Sequence, residues 1–271
     1  LTSTPRDPPE AIRLASERGY GAVGLRALPA SPSGPYSRLV EDPRLRAETR
    51  RALADTGVAA FDMEIVRLGQ AFALDAVRPF LDVAEELRAK AVLVAGDAPA
   101  EGRLVANFAA FAEAAGAHGL TADLEFMPWT PVADAATAMR VVEASGAPNG
   151  GILVDALHVA RSRTSLADIA AIPRARLSYV QICDAPAAVP ETVEGLIHDA
   201  RCARLLPGEG AIDLVGLLAR LPGDLPISLE IPNDARKPQV GVAAWARAAI
   251  EAGRRIVAAA AAARLTAALR P

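Results

Sequence analysis

Lysine is nearly missing from this sequence. Lys90 and Lys237 are the only two, and arginine supplies the rest of the 29 basic side chains. Against 32 acidic residues the formal net charge is −3, so the cationic face that nucleic-acid binding requires is not expected. Cysteine is scarce as well. Cys183 and Cys202 stand in no metal-like spacing, which argues against a disulfide framework and fits a reducing cytoplasm. No stretch of about eighteen uncharged apolar residues occurs, so no membrane span is expected. The Ala-rich run 257–263 is short and flanked by Arg254, Arg255 and Arg264, and reads as a terminal helix. Initiator Met and signal-peptide pattern are both missing, and the start is read as truncated or renumbered. No G-x-G-x-x-G follows a strand pattern, and neither a Walker-type loop nor a G-x-S-x-G elbow is present. Those absences remove the commonest dinucleotide, nucleotide and serine-hydrolase readings.

What is present is a repeat. Hydrophobic residues make up 52% of the chain and aromatics only 4%. Alanine dominates, which favours helices that pack closely. Helical patterns at 8–18, 43–56, 73–90, 102–117, 132–145, 165–171, 211–220 and 239–262 alternate with short apolar runs. The runs lie at 21–27, 58–68, 91–97, 120–128, 150–158, 177–186 and 225–232, with prolines and glycines at the joints. Strands alternating with helices imply parallel pairing through right-handed crossovers. With 271 residues, one domain spanning 1–271 is expected, an α/β fold of the (β/α)8 TIM barrel type. The runs supply seven strands. An eighth is expected before the first helix, with Leu1-Thr2-Ser3 as its last residues. An open doubly wound sheet is the alternative.

In such a barrel the reactive groups sit at the C-terminal ends of the strands. Four consecutive runs carry one oxygen-bearing side chain there: Glu125, Asp155, Gln181 and Glu230. Ionised carboxylates at the mouth of apolar strands are costly unless paired or bound to a cation. Three carboxylates and an amide carbonyl converging would repel one another, and a hard divalent cation, Mn²⁺ or Mg²⁺, relieves that repulsion. The competing reading pairs them with arginines: Arg26, Arg161, Arg201 or Arg204. Asp123 shares a strand face with Glu125 one layer lower and needs a partner of its own or a bulge. Arg26, Glu64 and Asp97 end three other strands and are candidates for shaping substrate choice. Lys90 falls on the opposite face of the barrel and Lys237 in a loop, which argues against a Schiff-base aldolase.

The segments LEFMPW at 124–129, DALH at 155–158, VQICD at 180–184, PGEG at 207–210 and SLEIP at 228–232 together resemble the xylose-isomerase-like sugar phosphate isomerase/epimerase superfamily. Hydroxypyruvate isomerase, ketose 3-epimerases, inosose and 3-dehydroshikimate dehydratases and zinc endonucleases of DNA repair belong to it. Each motif alone is weak, and their order along the whole chain carries the resemblance. It implies that Glu125, Asp155, Gln181 and Glu230 are metal ligands, with Glu125 and Glu230 as acid and base on opposite faces of a bound hydroxycarbonyl compound. Gln181, where many members carry His, is similar to the hydroxypyruvate isomerase branch and tilts the metal towards Mg²⁺ or Mn²⁺. The resemblance further implies that His158 meets a substrate oxygen, that Arg201 and Arg204 clamp substrate oxygens, and that Trp129 walls the pocket. Each has a plain alternative: a surface histidine at a helix start, ordinary salt bridges, and packing. Three histidines in the whole chain and the acidic balance argue against the endonuclease branch. A homodimer is an expectation that the superfamily alone carries.

The leading expectation is a metal-dependent isomerase or epimerase acting on a small sugar, ketose or hydroxy-keto acid through an enediolate. A metal-dependent lyase of the 3-dehydroshikimate dehydratase kind shares every step up to that intermediate. A barrel that binds a ligand or partner without catalysis is the reading from a different class.

Overall fold

The computed structural model describes residues 7–31 and 33–268. Helices and strands alternate through them: α1 (Pro8–Glu17), β1 (Ala22–Arg26), α2 (Pro43–Thr56), β2 (Ala59–Leu68), α3 (Leu74–Glu86), β3 (Ala91–Gly96), α4 (Glu101–Ala117), β4 (Thr121–Glu125), α5 (Ala135–Ser145), β5 (Gly150–Asp155), α6 (Ala156–Arg161), α7 (Leu166–Ala170), β6 (Val180–Ile182), α8 (Val193–Cys202), α9 (Leu214–Arg220), β7 (Ile227–Leu229), α10 (Lys237–Val240) and α11 (Val242–Ala268). The eighth strand expected at Leu1-Thr2-Ser3 lies outside the described residues. No helix among the described residues is long and apolar enough to cross a membrane.

Local chemistry sets the joints. Asp42 accepts hydrogen bonds from the amides of Arg44 (3.0 Å) and Leu45 (3.1 Å), and Pro43 opens α2 behind it. An Asp N-cap followed by Pro at the first helical position satisfies amides that the helix itself cannot. At the other end Gly57 turns the chain out at φ 70°, where a Cβ would be strained.

The described chain divides into two compact units. One holds residues up to 125 together with 138–152; the other holds 126–137 and 153–268. In the first unit β1 to β4 pair in parallel, in chain order. Their register sets Arg26 opposite Glu64 and Ala95 opposite Glu125. The start of β5 lies beside β4, with the Ala122 amide donating to Asn149 O at 3.1 Å. β3 is buried at every position, and a strand covered on both faces needs its unbroken apolar run of Ala, Val and Leu.

In the second unit the end of β5 pairs with β6, and β6 with β7, all parallel. Asp155 is the register partner of Gln181, and Gln181 of Ser228. Glu230 follows Ser228 by two residues, one repeat of the strand period, so the same face carries all three side chains. The same unit holds a core of Leu157, Cys183, Ala185, Ala200, Leu206, Ile231, Trp245, Ala249 and Ala252. Trp245 is buried and donates its indole N–H to Ile231 O at 3.1 Å.

Within the run 150–158, β5 stops at Asp155, where the sequence reading ends its strand, and α6 starts on the next residue. The helix α8, for which the pattern gave no clear signal, occupies 193–202. Its apolar stripe is weak, because Ala200 is its one buried residue and Gly195 interrupts it.

Candidate functional site

Asp155 explains why strand turns directly into helix in the second unit. Its Oδ1 accepts from the amides of Leu157 (2.7 Å) and His158 (3.1 Å), so the residue that closes β5 also caps α6. Its Oδ2 faces the other way and accepts from Arg204 Nη1 at 2.6 Å. The amide head of Gln181 lies 3.3 Å from that same Oδ2 and 3.0 Å from Glu230 Oε2. Arg204 Nη2 also reaches Glu230 Oε2, at 3.2 Å. Asp155, Gln181, Arg204 and Glu230 are all buried. The Arg204 guanidinium and the Gln181 amide thus close on two carboxylate oxygens, Asp155 Oδ2 and Glu230 Oε2.

The electrostatics follow from that closure. Burial, the largest single influence, works to raise the Asp155 carboxyl, but the Arg204 guanidinium and His158 together hold the group below the ordinary carboxylate value. Burial pushes the His158 imidazole down to about 4, against the pull of Asp155, so the ring is neutral near pH 7. It stands edge-on to Trp129, ring centroids 5.1 Å apart at 80°. Potential ligand atoms of Asp155 and His158 lie within 4.8 Å of one another. Burial lifts the Cys183 thiol to about 12, which removes it as a nucleophile.

The donor set fits a hard cation. Two carboxylates against one guanidinium leave one negative charge in excess. Gln181 presents either its NH₂ or its carbonyl oxygen to Asp155 and Glu230. With the oxygen turned inward, three oxygens converge, which is tolerable only around a cation. The competing expectation, that arginines neutralise these carboxylates, is realised by Arg204. Arg161 instead binds Asp199 (3.0 Å) and Pro186 O (2.9 Å), and Arg201 is exposed on α8.

The PGEG segment is held by a residue that sequence reasoning quoted in a motif and gave no task. Asp184 is buried and accepts from the amides of Ala185 (2.9 Å), Gly208 (2.9 Å) and Ile212 (3.0 Å). Gly210 packs so tightly on Ala185 O and Asp184 that a Cβ there would collide with both. An Asp ending a strand ahead of a Gly-rich loop was the available signal. Glu209 then pairs with Arg236, whose guanidinium lies 5.2 Å from the Trp245 ring centre.

In the first unit Glu125 is the last residue of β4 and is buried. Asp123, fully buried below it, accepts from Thr121 Oγ1 at 2.7 Å; this is the partner its position required. Arg26 donates to Glu64 Oε2 from Nε (3.1 Å) and Nη2 (2.7 Å). Asp97 is gripped by Arg67, with Nε 2.6 Å from Oδ2 and Nη2 2.7 Å from Oδ1.

Comparisons with known proteins agree with this architecture. A family model described as a xylose isomerase-like TIM barrel matches residues 12–256. The 3-dehydroshikimate dehydratase of Pseudomonas putida is 29% identical over 203 residues, which is 69% of this chain and 31% of that protein. The chain therefore spans about a third of the length of that relative. Among solved structures, the IolI protein with a binding zinc atom superposes with a TM-score of 0.77 at 15% identity, covering 94% of this chain and 95% of the other. A D-allulose 3-epimerase from Methylomonas sp. gives 0.67 at 16% identity, covering 92% and 91%. At such identities the structural likeness speaks for the fold alone.

Proposed function

Because the chain belongs to the xylose isomerase-like TIM-barrel family, we propose that it is a divalent-metal-dependent enzyme that removes a proton beside the carbonyl of a small hydroxycarbonyl substrate. The observation that carries this reading is the convergence of Asp155 Oδ2, Glu230 Oε2 and the Gln181 amide around an excess of negative charge. On this reading residues 1–271 act as one domain, supported by a family model that runs through both compact units.

Glu125, Asp155, Gln181 and Glu230 are the proposed ligands, and Mn²⁺ or Mg²⁺ the proposed ion. The ion would stabilise negative charge developing on adjacent carbonyl and hydroxyl oxygens of the substrate. Glu125 and Glu230 accept and return the proton. Arg204 and Gln181 fix the Oε2 of Glu230, so that carboxylate is oriented before substrate arrives. His158, neutral near pH 7, serves as a hydrogen-bonding partner for a substrate oxygen and not as a cation. Trp129 backs that imidazole and limits water at its side. Arg26, Glu64 and Arg201 remain proposed contributors to substrate choice.

Two outcomes share the enediolate. Returning the proton to a different carbon or face gives an isomerase or epimerase; expelling a β-hydroxyl gives a dehydratase. The name of the 29%-identical relative favours dehydration. The epimerase likeness at 16% identity supports the other outcome only through the fold. The protein loaded in turn with Mn²⁺, Mg²⁺ and Zn²⁺ is to be incubated with a panel of keto-sugars and hydroxy-keto acids and read by mass spectrometry. Loss of one water identifies the dehydratase, and a new isomer of unchanged mass the isomerase. No conversion across the panel by a protein that retains metal would leave the ligand-binding barrel as the surviving reading.

A further inference from the structure

We propose that Arg204 is a built-in cation of the donor ring that sets how tightly a divalent ion is held there. The proposal rests on the metal reading above and concerns a residue outside the proposed ligand set.

Arg204 has little left to offer a substrate. Its Nε donates to Ala200 O at 2.8 Å. Its Nη1 meets Asp155 Oδ2 at 2.6 Å, Glu230 O at 3.2 Å and Cys183 Sγ at 3.5 Å. Its Nη2 meets Glu230 Oε2 at 3.2 Å. A guanidinium has five N–H bonds, so these contacts leave at most one. A bidentate clamp on a substrate needs two. The side chain is 3% exposed, and the backbone around it is pinned. Leu205 and Asp184 exchange amide hydrogen bonds of 2.8 and 2.9 Å, and Asn233 Nδ2 donates to Arg204 O at 2.9 Å. The guanidinium is a fixture of the ring.

Its place there has an energetic cause. Asp155 and Glu230 both turn an oxygen to the Gln181 amide, and two buried carboxylates that close repel unless a cation separates them. Arg204 supplies that cation permanently, so the ring is assembled before an ion arrives. The consequence for the ion is opposite in sign. Asp155 and Glu230 bring two negative charges, and Arg204 cancels one. An incoming dication meets a weaker attraction than it would otherwise find, and competes with Nη1 and Nη2 for Oδ2 and Oε2 themselves. The arrangement suits an exchangeable ion, not one locked in as a structural part.

The test is Mn²⁺ affinity, measured by calorimetry and by the loss of the free Mn²⁺ signal in electron paramagnetic resonance. Arg204→Met removes the charge and keeps an unbranched apolar side chain. Mn²⁺ should bind it on the order of tenfold or more tightly than the parent, the direction Coulomb's law gives for a neighbouring cation removed. Arg204→Lys keeps the charge without the fork and should bind Mn²⁺ within about threefold of the parent. Apo Arg204→Met should melt below the parent, and saturating Mn²⁺ should raise its Tm by more than it raises the parent's. Equal or weaker Mn²⁺ binding by Arg204→Met, with the parent binding normally, overturns the role of Arg204 and leaves the metal site standing. So does an Arg204→Met chain that stays unfolded at saturating Mn²⁺, because the ion should replace the guanidinium. A parent that binds none of Mn²⁺, Mg²⁺ and Zn²⁺ removes the metal reading itself and this proposal with it.

Discussion

Glu64 and Asp97 in the first unit each have an arginine of their own, Arg26 and Arg67. In the second unit Asp155 and Glu230 share Arg204, and the Gln181 amide is added to the same oxygens. The chemistry of the parts is the same, carboxylate against guanidinium, and the stoichiometry differs. One-to-one pairing, as between Arg67 and Asp97, leaves no charge over and describes a finished contact. Two-to-one pairing leaves a negative charge where water is excluded, and a buried surplus of that kind is costly unless another cation balances it. The surplus, more than the presence of acidic residues, separates a site from a brace.

Asp155→Ala is the largest test of that difference. It deletes a proposed ligand, the α6 cap and half of the shared pairing. Cap removal costs about 0.5–2 kcal/mol, and breaking a buried pair about 3–5 kcal/mol. A markedly lowered Tm is expected, together with complete loss of retained metal and of turnover. Asp97→Ala, whose pairing with Arg67 is about a quarter exposed on each side, should lose about 1 kcal/mol at most and leave metal content unchanged. Metal analysis after dialysis and thermal melts decide. Metal retained by Asp155→Ala would erase the distinction drawn between the two regions.

Glu125→Gln and Glu230→Gln sharpen it. Each keeps an oxygen donor and removes a proton acceptor. Turnover should fall between about a hundredfold and ten-thousandfold with metal largely kept. Solvent-deuterium exchange into the substrate, followed by NMR, distinguishes the two faces. If both variants turn over at the parent rate with metal bound, neither carboxylate carries the proton.

How much of this stood in the sequence can be judged residue by residue. Glu125, Asp155, Gln181 and Glu230 were legible because a polar side chain closing an apolar strand violates the local pattern, and four such violations in a row are hard to assign to chance. The strand end at Asp155 and a helix start near His158 were legible; what was not read is that the Asp155 carboxylate itself caps α6 by accepting from its own following amides. Arg204 was named as a candidate on two incompatible grounds, as a neutraliser and as a substrate clamp. Its contact with Asp155 spans 49 residues, and no spacing rule reaches that far. Asp123 posed a question that Thr121, two residues away on the same face, answers. A hydroxyl at i−2 is a signal a strand-period reading could have used.

A smaller effect separates the regions by pH. Burial, the largest single influence, works to raise the Glu64 carboxyl, but the Arg26 guanidinium together with neighbouring groups, Asp62 among them, takes it below its ordinary 4.5. A depressed native value means the stabilisation is fully present above 4.5 and is lost as pH falls through the native value. Tm of the parent should therefore drop more steeply on acidification below about pH 4.5 than that of Glu64→Gln, which has no carboxyl to protonate there. Equal slopes would show that the Arg26–Glu64 contact adds nothing to the native state.

The smallest expected effect belongs to a pair that looks much the same on paper. Glu101 and Arg140 meet at 3.0 Å on the surface of the first unit, and both side chains are 56% exposed. Arg140 lowers the Glu101 carboxyl, first through its hydrogen bond and then through its charge. Water nevertheless competes for each partner, salt screens them, and both long side chains lose rotamer freedom on pairing. A double-mutant cycle of Glu101→Gln and Arg140→Gln, read by thermal melts, should give a coupling close to the noise at low ionic strength and none at about 1 M salt. The same cycle on Arg26 and Glu64 should keep most of its coupling in salt, because Glu64 is 4% exposed and Arg26 15%. If the surface pair couples as strongly as the buried one and resists salt equally, burial is not what distinguishes braces from decoration in this molecule. The stoichiometric argument for the Asp155–Glu230 ring would then lose the assumption of low screening on which it depends.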